Sequence, residues 1–190
     1  AAAQIAYDRA SLPLWFAGTE NAVALPDGNH LRFCEDISNS FNIALPYEAS
    51  MASKVERCRP WGWSAQMKRR FKAMGIPADI LPADEVVNAV RSLSNRRFAI
   101  KILSELKVRG VEVPPMPLYL QDADAVAAFV DSMPRCVVKA PWSGSGKGIA
   151  WGIGRVETPM EHFYKGVIRR QGGVVCEHFL ESVQEFAMEF

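Results

Sequence analysis

Between the apolar residues Val137-Val138 and Ile149-Ala150-Trp151, three glycines, two serines and a lysine fill six positions, Ser143-Gly144-Ser145-Gly146-Lys147-Gly148. Glycine at this density opposes a helix by about 1 kcal/mol per residue relative to alanine. It also admits positive φ, which lets successive backbone N–H groups converge on one anion. Ser143 and Ser145 add hydroxyl donors, and Lys147 adds a positive charge at the loop tip. Lys139 stands on the incoming apolar stretch, within reach of the same anion. Each part suits a triphosphate. The spacing predicts a strand, a glycine-rich loop over 139–148, and a second strand.

Two better-known phosphate loops do not fit. The Walker A loop requires Gly-x-x-x-x-Gly-Lys-Ser/Thr. Here Gly146-Lys147 is present, but Pro141 stands at the first glycine position and Gly148 replaces the magnesium-binding hydroxyl. The dinucleotide fingerprint Gly-x-Gly-x-x-Gly fails because Gly144, Gly146 and Gly148 alternate singly. Both motifs also need a helix after the loop, and residues 148–154 read Gly-Ile-Ala-Trp-Gly-Ile-Gly, which suits a strand. The alternative for these residues is a hairpin tip that holds no ligand.

The remaining chain reads as interleaved helices and strands, an α/β or α+β pattern. Residues 2–15 suit a helix broken at Pro13, and the apolar runs 22–25 and 41–45, ended by Pro26 and Pro46, suit strands. Ser64 is a candidate N-cap, with Met67, Phe71 and Met74 at i, i+4, i+7 spacing and Gly75 as the stop. Lys68, Arg69, Arg70 and Lys72 lie on the other side of that helix and read as a solvated face. Helices are predicted over 84–93, with Val86, Val87, Val90 and Leu93 on one stripe, and over 95–108, with Phe98, Ile102, Leu103 and Leu106 inward. Residues 111–115 are extended, because paired prolines cannot continue a helix. Two more helices are predicted over 122–133 and 159–170, the latter facing inward through Phe163, Tyr164, Val167 and Ile168. Strands are expected at 174–176 and 185–190, the second alternating with period 2.

Composition narrows the function classes. Net charge is +1, so no general polyanion-binding surface is expected and nucleic acid is not a partner. No run of about 18 apolar residues exists, so no transmembrane helix is expected. Residues 1–10 lack a signal-peptide layout. Cys34, Cys58, Cys136 and Cys176 form no Cys-x-x-Cys pair, which argues for buried thiols in a reducing, cytoplasmic setting. The chain starts without Met and stops at Phe190 inside an alternating stretch, so it is expected to be a portion of a longer protein. His30 and His162 have no ligand-spaced partner and read as surface or structural. Trp61, Trp63, Trp142 and Trp151 are candidates to stack on a base, with core packing favoured for the first two, and Trp142, inside the loop, is a candidate to shield the phosphates. No catalytic residue is assigned.

Taken together, the strand Lys139, the glycine-rich loop ending in Lys147, and the later run Val174-Val175-Cys176-Glu177-His178-Phe179-Leu180 resemble the ATP-grasp superfamily. Upstream, Pro60-Trp61-Gly62-Trp63-Ser64 and Arg91-Ser92-Leu93-Ser94-Asn95-Arg96 add to a likeness with a group of bacterial ATP-grasp proteins. The resemblance implies that the loop closes over the nucleotide like a flap. It implies that Lys139, Ser143, Gly144, Ser145, Gly146, Lys147 and Gly148 hold the phosphates. Glu177 would meet the adenine amino group, the backbone of His178 and Leu180 would meet the ring edge with Phe179 in the same run, and Glu185 would lie near the ribose. Arg97 is the nearest match to the family's phosphate-binding residue at the start of the preceding helix. The implied architecture is a partial Rossmann-like domain over 1–94 and the first part of an ATP-grasp domain over 95–190. The implied activity is an ATP-dependent carboxylate–amine ligase acting through an acyl phosphate on an unknown small-molecule or peptide acceptor. A non-catalytic nucleotide-binding module and a small-molecule kinase are the alternatives. Magnesium would be held by residues outside this chain, and no metal ligand is assigned within it.

Overall fold

Local capping starts several of the helices in the computed structural model, which describes residues 2–18, 21–45, 55–144 and 146–184. The chain divides into two units, Ala1–Ala83 and Asp84–Phe190.

In the first unit, α1 spans Ala2–Asp8 and a 3-10 turn Leu12–Trp15 follows, with Pro13 in its first turn. Helix α2, Gly28–Phe41, was not expected, and its last residue takes the first position of the strand expected over 41–45. Asp27 starts it by accepting the N–H groups of Asn29 and His30, and Asn42 ends it in the left-handed region at φ 49°. Residues 41–45 are therefore a helix end and an irregular exit. The other expected strand, 22–25, is reduced to a single bridge at Val23. The sequence misled because α2 is mostly polar and buries only His30 and Cys34. A small core joins Leu14, Val23 and Cys34. His30 also ties α2 to α1: its Nδ1 lies 3.0 Å from Asp27 Oδ1 and its Nε2 2.9 Å from the Tyr7 carbonyl. Helix α3, Ala65–Ala73, starts at Ser64, whose Oγ accepts the Met67 N–H at 3.1 Å, and ends before Gly75 at φ 82°. Arg69, Arg70 and Lys72 are exposed on it.

The second unit opens with α4, Asp84–Leu93, and α5, Arg97–Val108. Of the predicted α4 stripe only Val87 is buried, and Val86 and Leu93 are exposed. Of the inward face expected for α5, Phe98, Leu103 and Leu106 are half-buried and Ile102 is 46% exposed, and no residue of the helix is fully buried. Periodicity marks which side of a helix is apolar; it does not say what covers that side.

One mixed α and β layer pair completes the unit. Strands β1 Leu118–Leu120, β2 Cys136–Lys139, β3 Ile149–Gly152 and β4 Val174–His178 form an antiparallel sheet in the order β1-β4-β2-β3. Three of these strands match expectation; β1 is too short to have stood out. Helices α6 Ala123–Ser132 and α7 Thr158–Gln171 pack on one face. Asp122 caps α6 at the Ala125 N–H, 2.8 Å away. The core lies between them and the sheet: Val126, Phe129 and Val130 from α6, Met160, Tyr164 and Val167 from α7, and Cys136, Val138, Val174 and Cys176 from the strands. The strand stretch expected at 185–190 lies outside the described residues.

Candidate functional site

Strand alternation decides which side chains gather. Cys136 and Val138 of β2 point toward the helices, so Val137 and Lys139 point the other way. The register sets Val137 opposite both Trp151 and Glu177, and Lys139 opposite both Ile149 and Val175. Directly opposed residues share a face, so Lys139, Glu177, Val137 and Trp151 all belong to the sheet face away from α6 and α7. There the Lys139 ammonium pairs with the Glu177 carboxylate. Their side chains are 25% and 27% exposed, which screens the pair less than a surface one.

The loop from Ala140 to Gly148 joins β2 to β3. It is closed at its base by the Ala140 N–H to Gly148 carbonyl bond of 2.8 Å and turned at its tip by Lys147 N–H to Gly144 O at 3.0 Å. Gly146 and Gly148 have φ of 72° and 68°. A Cβ at Gly148 would also stand 2.6 Å from that of Ser143, so glycine is required there twice over. Lys147 and Gly144 are exposed.

The root of the loop is held by groups that the sequence did not point to. Arg96 donates from Nη1 to the Ala140 carbonyl at 2.6 Å and to Ser143 Oγ, and its N–H bonds the Pro141 carbonyl at 3.0 Å. Trp142 donates its Nε1–H to the Arg91 carbonyl at 3.0 Å, carries the Arg91 guanidinium 4.4 Å over its ring, and gives its N–H to Gln171 Oε1 at 3.0 Å. Trp142 is thus part of the root. Arg97, the residue matched to the family's phosphate ligand, lies 4.8 Å over the Tyr119 ring, while its neighbour Arg96 meets the loop. The signal for this split was Asn95, whose Oδ1 accepts the Arg97 N–H at 2.8 Å and so leaves Arg96 before the first turn.

At the other end of β4, His178 is half-buried with its ring edge-on to Phe129 at 6.2 Å. Phe179 bonds through its N–H to the Arg135 carbonyl at 3.2 Å and carries the Arg135 guanidinium 3.6 Å over its ring. Leu180 is exposed. Ser145 and Glu185 lie outside the described residues. Burial pushes the Cys176 thiol up to about 12 and raises Cys136 as well, so neither serves as a thiolate at neutral pH. Among the described residues no three His, Cys, Asp or Glu side chains gather as metal ligands, and no helix is long and apolar enough to cross a membrane.

The structure therefore brings Lys139, Ser143, Gly144, Gly146, Lys147 and Gly148 into one strand and loop, with Glu177 beside the strand lysine. No family model, curated protein or solved structure matches this chain.

Proposed function

We propose that this chain binds ATP on the β2–β4 face, with the loop after Lys139 over the phosphates and Glu177 to Leu180 along the base. One observation carries the reading: Lys139 and Glu177, separated by 38 positions, meet as a partly buried ion pair beside a glycine-rich loop. The lysine and the loop amides supply positive potential for phosphate oxygens. The carboxylate is an acceptor for an exocyclic amino group. Arg96 and Trp142 preset the root of the loop, which lowers the ordering cost of closing the tip over a ligand.

The wider function proposed is that of an ATP-grasp ligase. In it the γ-phosphoryl group of ATP passes to a carboxylate oxygen, releasing ADP. An amine then attacks the acyl carbon and inorganic phosphate leaves. In this chain the residues named above hold and orient the nucleotide.

Calorimetry with ATP, with and without magnesium, tests the reading on the wild-type chain and on Lys139→Ala and Glu177→Gln. ATP binding is expected in the wild type. Loss of a charge-assisted phosphate contact of about 1.5–3 kcal/mol should weaken it at least tenfold in Lys139→Ala. Thermal melts check that each variant folds. A folded wild-type chain that does not take up ATP sinks the proposal.

A further inference from the structure

We infer that Trp151 is the surface against which the base of the nucleotide packs, with Glu177 at the opposite edge. This rests on the nucleotide reading above and assigns a residue that the reading does not need. Three observations carry it.

The first is register. Glu177, Val137 and Trp151 lie in one row across β4, β2 and β3. A short β-branched side chain thus sits between a carboxylate and an indole, whose backbones stand roughly 10 Å apart at two strand spacings. The second is exposure. Trp151 is 62% exposed, whereas Val137 beside it is 5% exposed. A large aromatic surface therefore faces outward on the face that carries the Lys139–Glu177 pair.

The third is that this exposed indole is held in place. The Phe179 ring meets it at 5.6 Å and 65°. Phe179 is fixed in turn by its N–H bond to Arg135 and by the Arg135 guanidinium over its ring, and Arg135 pairs with Glu181 at 3.1 Å. An aromatic surface already restrained loses little entropy when a second π-system packs on it. The ligand that fits is an aromatic heterocycle with a hydrogen-bond donor edge toward Glu177 and an anionic tail toward Lys139 and the loop. A tripolyphosphate alone has the tail without the ring.

The test compares ATP with inorganic tripolyphosphate on the 190-residue chain and on Trp151→Ala and Trp151→Phe. Base–aromatic stacking predicts that Trp151→Ala weakens ATP binding by roughly ten- to a hundredfold. Tripolyphosphate binding should be unchanged, and Trp151→Phe should restore most of the ATP affinity. ATP should quench tryptophan fluorescence in the wild type, with that change lost in Trp151→Phe. Because the side chain is largely exposed, melting temperatures should stay near that of the wild type. Equal ATP affinity in a folded Trp151→Ala chain overturns the assignment, and so does equal weakening of ATP and tripolyphosphate. A wild-type chain that binds tripolyphosphate as well as ATP shows that no base is read, which overturns this inference and leaves the phosphate site standing. Binding of neither overturns the nucleotide reading itself.

Discussion

At the scale of single residues, several positions have one acceptable occupant. Gly152 is one such case outside the loop. A Cβ there would stand 2.5 Å from Cys136 Sγ and 3.1 Å from Val130 Cγ1, inside the core between sheet and helices. Gly152→Ala should destabilise the second unit by about 1–3 kcal/mol through overpacking. Urea denaturation measures this directly. Shortening the clashing partner, in the double variant with Cys136→Ala, should recover part of the loss. An alanine variant as stable as the wild type, with no coupling to position 136, would show that the strand has slack the structure does not suggest. Glycine density was readable in the sequence. Which glycine faces a sulfur atom was not, because that depends on the pairing of Cys136 with Gly152.

At the scale of elements, two ties between neighbours carry predictions. The root of the loop is the first. Arg96→Ala removes the donor to the Ala140 carbonyl and Ser143 Oγ. Amide exchange over 144–148 should then speed up by roughly tenfold, matching the loss of about 1.5 kcal/mol from a charged hydrogen bond. Exchange within α6 should not change. Protection in the loop equal to the wild type would mean that the hairpin strands alone fix it. The second tie joins α1 to α2 through His30. Hydrogen bonding to the Asp27 carboxylate, then to the Tyr7 carbonyl, and the nearby Asp8 charge raise the imidazole above its ordinary value despite desolvation. The Tyr7 phenol and His30 hold Asp27 far below the usual carboxylate range. A raised histidine stabilises the fold fully below its unfolded value of about 6.5, and this is lost as pH rises through the higher folded value. A depressed aspartate contributes above about 3.9, and this is lost on acidification. The tie is therefore strongest between about pH 4 and 6.5. The melting-temperature gap between wild type and His30→Ala should be wider at pH 5.5 than at pH 9. A gap of the same size at both values would leave His30 with a packing role alone.

At the scale of the whole molecule, the sequence determined what depends on near neighbours. Ser64 as the start of α3, Gly75 as its stop, the span of α6 to within a residue at each end, the bounds of α4, and the strand–loop–strand around Gly144 to Gly148 were all legible. Caps, periodicity and glycine act within a turn or two of the chain. The failures share the opposite cause. Helix α2 was hidden because its sequence is polar and its start depends on how the Asp27 side chain turns back. The apolar side of α5 was read as buried although burial is decided by what packs against it. The site divides in the same way. Lys139 and the loop were visible as one segment. Tertiary structure alone set the order β1-β4-β2-β3, laid Glu177 next to Lys139 across 38 positions, and brought Arg96 to the loop across 44. No local pattern encodes such pairings, because each becomes favourable only after the intervening chain has paid the entropy of closing a long loop and the shared core has formed beneath it.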